Sequence, residues 1–372
     1  MILSDIMILH PRPSPIAAAM YQLRDIGVDA IILHGPSGCC FRTARLLEID
    51  GIRVFTSAMG ENDFIFGAMD KLRDVIGEVL EYLKKETPKD EKYRIGIVGT
   101  CASMIIGEDL ESLIDDFDDI IIPVDIHSGL VDNTVGAIRA MDGALNAGLI
   151  EYSEYERQKK MLVCATDVEK KRGMAKDRYL KPTYEDDLEK VMNILKETDS
   201  KIKQGDDVKI ACVLNAKKET AYLFSDPILE LNNHFKCINI ANLDENIGFD
   251  KVRADAKNIL DEFNKCGFKI DYITGGLDEY PISGEKALSH LKEINPDIVV
   301  VSGVPHALLI ENLKEINPDV ITIGISDGPR LYHPIKEVYT YGIIELDAHA
   351  KVLGKKNIVK SRFGEILSFM KF

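Results

Sequence analysis

Asp29-Ala30-Ile31-Ile32-Leu33-His34-Gly35-Pro36-Ser37-Gly38-Cys39 is an apolar, strand-sized run that passes into a turn of small residues and then a cysteine. The same grammar returns at Arg94-Ile95-Gly96-Ile97-Val98, which leads to Thr100-Cys101 and on to Ile106-Gly107-Glu108-Asp109. A β-like run, a tight turn and then a helix, used twice, predicts two neighbouring strands of one parallel sheet with both thiols at its carboxyl edge. Open α/β sheets bind ligands at that edge. Cys39 and Cys101 are separated by 61 residues, so no local C-x-x-C chelate is available and the fold must bring them together. Two thiolates are half of a four-cysteine iron–sulfur set, and a two-fold dimer would supply the other half by symmetry.

Outward from these motifs, strand-like and helix-like patterns alternate through nearly all of the 372 residues. That alternation predicts an α/β protein of three Rossmann-like units, with mainly parallel sheets covered by helices. The first unit, 1–165, is the cluster-binding domain, with a strand at Arg53–Ser57, a helix at 63–85, a strand at Ile120–Val124 and a helical stretch at 131–149. The second, 166–267, opens with a basic crossing segment expected to be a loop (Lys170, Lys171, Arg172, Lys176, Arg178) and carries strands at Val208–Leu214 and Cys237–Ile240. The third, 268–372, has strands at Ile270–Thr274, Asp297–Ser302 and Asp319–Ile325, and ends in a helix. Within it Leu-Lys-Glu-Ile-Asn-Pro-Asp occurs at 291–297 and again at 313–319. Each copy is a helix-to-strand connection closed by a proline that cannot continue the helix.

Composition narrows the function classes. A net charge of −15 argues against nucleic acid as the main partner, because phosphate neutralisation needs a basic face. The longest apolar runs, such as Ile298-Val299-Val300-Val301, fall well short of the ~20 residues of a membrane span. No cationic segment followed by a cleavable apolar stretch opens the chain, and its seven cysteines lack disulfide-like spacing. Both features predict a cytoplasmic protein. No G-x-x-x-x-G-K-[ST] occurs, so an ATP site of that kind is absent and any ATP must act on a partner.

Several motifs in a fixed order resemble the nitrogenase component 1 superfamily: Pro15-Ile16-Ala17, His34-Gly35-Pro36-Ser37-Gly38-Cys39, Thr56-Ser57 with Glu61, Phe66-Gly67, Lys71-Leu72, Cys101 with Ile106-Gly107-Glu108-Asp109, and Pro123-Val124 with Ser128-Gly129. The likeness is strong over residues 10–145 and architectural beyond. It implies that Cys39 and Cys101 ligate an iron–sulfur cluster at a two-fold or pseudo-two-fold subunit interface. Family members often have a third ligand cysteine before the first strand, where this chain has His10, Arg12 and Ser14. Two matched cysteines per subunit suit a homodimer with one bridging 4Fe–4S cluster. The short chain is most similar to the branch of the family that reduces a nickel tetrapyrrole, Ni-sirohydrochlorin a,c-diamide, by six electrons and closes a lactam ring in biosynthesis of coenzyme F-430. In that branch a separate ATP-dependent iron protein delivers the electrons. The alternatives are reduction of another substrate by the same architecture, or a non-catalytic scaffold for metallocluster assembly.

The resemblance sharpens the other candidates. Gly35 and Gly38 would let the backbone approach the cluster and donate hydrogen bonds to its sulfurs. Cys40 could compete as a ligand, while Cys164, Cys212, Cys237 and Cys266 fit core positions. His127 and Ser128 follow a strand and could cap a helix or stand near the cluster. Substrate chemistry is expected in the loops after the later strands, where His306, His333, Asp278 and Asp327 are proton donors by type. Lys170, Arg172, Arg178 and Arg330 are the groups expected to fix the carboxylates of such a substrate.

Overall fold

The computed structural model describes residues 14–130, 132–173 and 180–370. They form two compact units, one of residues 14–162 with 249–251 and one of 163–248 with 252–370. Among the described residues no helix is long and apolar enough to cross a membrane.

The first unit is built on a four-stranded sheet, β1 (Ala30–His34), β2 (Arg53–Thr56), β3 (Arg94–Gly99) and β4 (Ile120–Val124). All neighbours are parallel and the spatial order is β2-β1-β3-β4. Alternate side chains explain why β1 is apolar up to His34 and β3 is apolar after Arg94, since each face of the sheet is covered. Ile31, Leu33, Val98 and Ile122 pack with Met20 and Leu23 of the helix Pro15–Ile26 and with Ala140 and Met141 of the helix Asn133–Asn146. Ala30, Ile32, Ile95 and Ile97 pack on the other face with Leu72, Ile76 and Leu83 of the helix Met69–Glu86. The helices Pro15–Ile26 and Asn133–Asn146 approach so closely that a side chain at Gly136 would collide with the Pro15 backbone. The helix expected over 63–85 is instead two, Glu61–Phe66 and Met69–Glu86. Gly67 separates them at φ 87°, a left-handed value at which glycine avoids the Cβ clash.

The second unit is built on a six-stranded sheet, β5 (Ile210–Asn215), β6 (Cys237–Ala241), β7 (Tyr272–Ile273), β8 (Ile298–Gly303), β9 (Ile321–Asp327) and β10 (Tyr341–Glu345). Its order is β10-β9-β8-β5-β6-β7, again parallel throughout. Strands from the ranges read in sequence as a second and a third unit therefore lie in a single sheet, because β5 pairs with β6 on one side and β8 on the other. Alternation of elements along the chain does not specify this pairing; long-range register does. Of the cysteines expected in the core, Cys212 lies there with Leu214, Val300 and Ile323, Cys164 and Cys237 are half-buried, and Cys266 is exposed. The terminal helix Arg362–Ser368 is tied down by the buried Glu345 carboxylate, which accepts from the backbone N–H groups of Arg362 and Phe363 at 2.9 Å each.

The basic crossing segment differs from its sequence reading. Residues to Lys171 belong to the long helix Tyr152–Lys171, so Lys170 and Lys171 sit on its last turn, where cations complement the carbonyl end of a helix. Lys176 and Arg178 lie outside the described residues.

Candidate functional site

Each sheet has one place where the strand order reverses and two adjacent loops diverge to leave a crevice. In the first sheet that place lies between β1 and β3. His34 is paired in register with Gly99, so the chain leaves both strands at one level and the two cysteine loops begin side by side.

Gly35 sets the tightness of this junction. A Cβ at Gly35 would lie 2.9 Å from the Thr100 Cγ2 and closer still to its hydroxyl oxygen. The Thr100 hydroxyl donates to the His34 carbonyl at 2.9 Å, which locks the loop after β3 onto the loop after β1. The Gly35 N–H donates to Ser57 Oγ at 3.1 Å, so the donor expected to face a cluster sulfur is used inside the protein. Gly38 is exposed, with open space where a side chain would be.

His34 is completely buried, and both of its ring nitrogens are engaged. Ser57 Oγ accepts from Gly35, which leaves its proton to donate to His34 Nδ1 at 3.0 Å. The Glu108 carboxylate on Nε2 only accepts, which assigns the imidazole proton to Nε2. The other Glu108 oxygen accepts from the Ala68 N–H at the start of the helix Met69–Glu86. The His34 and Ile106-Gly107-Glu108-Asp109 motifs are thus two halves of one buried brace beneath the thiol loops.

Cys39, Cys40 and Cys101 are all partly exposed free thiols, and their charges influence one another. Burial pushes the Cys39 thiol up, a negative Cys101 adds to this, and a hydrogen bond with Thr100 opposes both. Burial also raises Cys40, against a hydrogen bond with Ser14. Cys101 moves the other way. Ser128 Oγ lies 2.9 Å from its sulfur and the Ser128 N–H donates to it at 3.4 Å, which favours the thiolate over the opposing effect of burial. The thiolate is the form that binds metal. Ser128 therefore touches a thiol, whereas the helix Asn133–Asn146 is capped by Asp132. The donor set is chemically suited to an iron–sulfur cluster, and among the described residues no three His, Cys, Asp or Glu side chains gather as a metal site.

In the second sheet the order reverses between β5 and β8. Here the loops bring charge together. Lys217, after β5, places Nζ 2.6 Å from Glu169 Oε1, and His306, after β8, places Nε2 3.4 Å from the same oxygen. Burial disfavours the Glu169 carboxylate, but the Lys217 ammonium and His306 outweigh it and hold the group well below the usual carboxylate range. Burial would lower Lys217, and the nearby Glu169, Tyr280 and Asp327 raise it instead. Asp327 pairs with His349 at 3.3 Å; that partner and Lys217 hold its carboxyl down against the effect of burial.

The structure therefore brings His306 and Asp327 into one charge cluster. His333 is an exposed residue on the short helix Tyr332–Val338, edge-on to Tyr332 with ring centroids 5.6 Å apart. Asp278 is buried in the loop after β7. Arg172 pairs with Glu311 at 3.0 Å, Lys170 is exposed, Arg330 is half-buried in the loop after β9, and Arg178 lies outside the described residues. Glu169 and His349 were not singled out from sequence. Glu169 sits in the stretch read from sequence as a basic crossing loop, and its partners are 48 and 137 residues away.

The family model for nitrogenase component 1 type oxidoreductases matches residues 14–200. A Methanocaldococcus jannaschii protein named Ni-sirohydrochlorin a,c-diamide reductive cyclase complex, component CfbD, is 65% identical over 363 residues, 98% of this chain and 99% of that protein. Its namesake from Methanothermobacter thermautotrophicus is 48% identical over 96% of this chain and 98% of that protein. A solved structure, nitrogenase Cp1 at pH 6.5, aligns at 12% identity over 92% of this chain and 79% of that one, with a TM-score of 0.33.

Proposed function

The chain belongs to the nitrogenase component 1 type oxidoreductase family, and on that premise we propose that it is the catalytic component of a nitrogenase-like reductive cyclase. Its substrate is Ni-sirohydrochlorin a,c-diamide, which it reduces by six electrons and closes to a lactam in coenzyme F-430 biosynthesis. The observation that carries this reading is the meeting of Cys39 and Cys101 at the β1/β3 switch point, on a chain that matches the curated relatives over nearly its whole length.

Cys39 and Cys101 from each of two copies would hold one 4Fe–4S cluster, with Ser128 keeping the Cys101 sulfur in place. Bound there, such a cluster supplies one-electron transfer, received from a separate ATP-dependent iron protein. An exposed apolar rim on the loops and helices after β1, β2 and β3 supports the second copy: Phe41, Phe64, Ile65, Phe66, Met104 and Ile105 are each between 42% and 83% exposed. His306 and Asp327 handle protons, and Arg172 and Arg330 fix substrate carboxylates by charge-assisted hydrogen bonds. The setting is the cytoplasm.

The test is anaerobic reconstitution with iron and sulfide, followed by iron counting and reduced-state EPR, on wild type and on Cys39→Ala and Cys101→Ala. About four irons per dimer, lost in both variants, is the expected result. Four irons per monomer, or retention in either variant, overturns the shared cluster.

A further inference from the structure

Among the described residues two histidines are more than nine-tenths buried, His34 and His306, and they differ in one respect. Both nitrogens of His34 have partners. His306 has Glu169 on Nε2 and nothing on Nδ1. A buried ring nitrogen without a partner is costly, so its persistence beside a buried carboxylate asks for a purpose.

The surroundings of His306 are charged from several elements. Glu169 comes from the last turn of the helix Tyr152–Lys171 and Lys217 from the loop after β5. Tyr339 donates its hydroxyl proton to the Pro305 carbonyl at 2.9 Å, and the Arg172–Glu311 pair acts on Tyr339. Lys217 satisfies most of the Glu169 charge at 2.6 Å, and a quarter of its side chain remains exposed. Gly173 is part of the same construction, because a side chain there would collide with Glu169. All of this lies at the β5/β8 switch point, the position at which an open parallel sheet binds its ligand.

We propose that Glu169 is the positioning residue of a proton-handling centre, holding Lys217 and the Nε2 side of His306 so that His306 Nδ1 is the atom that passes protons, through an intervening water, to a tetrapyrrole bound in the crevice. The proposal rests on the reductive-cyclase reading for the identity of the ligand. With Nε2–H directed at Glu169, Nδ1 carries the ring's lone pair and takes up a proton to give an imidazolium flanked by a carboxylate. When the reduced macrocycle holds an electron pair on a ring carbon, that pair takes a proton from the intervening water to form the new C–H bond, and the water regains its proton as the N–H bond at Nδ1 breaks. The neutral imidazole returns in its starting tautomer. Glu169 and Lys217 keep their charges throughout, which distinguishes positioning from proton donation.

Two readouts test this. In ¹⁵N-histidine-labelled full-length protein, with the His306 signals assigned by their loss in His306→Asn, the neutral ring is expected as the Nε2–H tautomer in wild type and as a mixture in Glu169→Ala. Should Glu169→Ala fail to fold, the Lys217→Met/Glu169→Leu double variant removes both charges and the acceptor on Nε2 together and serves in its place. A dominant Nδ1–H tautomer in wild type, or no change in the variant, overturns the assignment. In turnover with the iron protein and the nickel substrate, His306→Asn and Glu169→Gln are expected to lower kcat by about a hundredfold and to alter its pH profile, with KM and the reduced-cluster EPR signal unchanged. Equal turnover by wild type and variants overturns the proton role. Absence of turnover in wild type, with the tautomer as expected, overturns the substrate reading and leaves Glu169 as the positioning residue.

Discussion

At the β1/β3 switch point the chain presents partly exposed thiols on a turn of small residues, and the one buried histidine there has both nitrogens consumed by a structural brace. At the β5/β8 switch point it presents a buried carboxylate between an ammonium and an imidazole, and the buried histidine keeps one nitrogen in reserve. The topology is of one type in both places, a parallel sheet whose strand order reverses. The chemistry differs because the crevice takes its character from the few residues that follow each strand. Soft sulfur ligands at one crevice suit electrons, and hard, hydrogen-bonded charges at the other suit protons.

The largest expected effect tests whether the first crevice is a rigid junction. Gly35→Ala drives a methyl group into Thr100 and should cost about 1–3 kcal/mol in urea unfolding of the full chain. Adding Thr100→Ala should restore part of that loss, so that the double variant loses well under the sum of the two single losses. If Gly35→Ala is neutral, the junction is soft and the contrast with the charged crevice weakens.

The next effect reports on the second crevice. The folded carboxyl of Glu169 lies well below its unfolded value, so the stability it contributes is fully present above the unfolded carboxylate range, near pH 4.3, and is lost as pH falls through the folded value. Glu169→Gln should therefore flatten the pH dependence of unfolding on the acid side while leaving Cys101 reactivity unchanged. A wild-type and variant that lose stability in parallel below pH 4 would mean that the ion cluster is not coupled to folding.

The smallest effect separates the thiols. Ser128→Ala removes the hydroxyl that favours the Cys101 thiolate, so the pH midpoint for alkylation of Cys101 should rise and its rate near neutral pH should fall by about fivefold, the equivalent of one hydrogen bond. Cys39 and Cys40 should react as before, which mass spectrometry of the labelled peptides would show. Equal slowing at all three would mean that Ser128 shapes the loop and does not act on one sulfur.

Much of the first crevice was legible in the chain. Apolar runs such as Asp29–Leu33 and Arg94–Val98 specify strands through their own alternation, and Gly35, Thr100 and the cysteines announce tight turns at strand ends. The second crevice was legible only in part. His306 and Asp327 could be named by type, but Glu169 could not, because its partners come from loops 48 and 137 residues further on. His333 could be named by type as well, yet it lies exposed on a short helix and outside that charge cluster. The two uses of histidine were equally hidden: nothing local to His34 or His306 says that one has two partners and the other has one.

The sequence by itself determined what depends on neighbours along the chain: the strands, the turns that end them and the residue types at each strand end. Tertiary structure decided which loops meet, because strand order is set by register between distant segments, as when β5 pairs with β8 and merges two expected units into one sheet. It also decided what the meeting groups can do. Charge state and tautomer depend on burial and on partners within a few ångströms, and those distances exist only after the chain has folded.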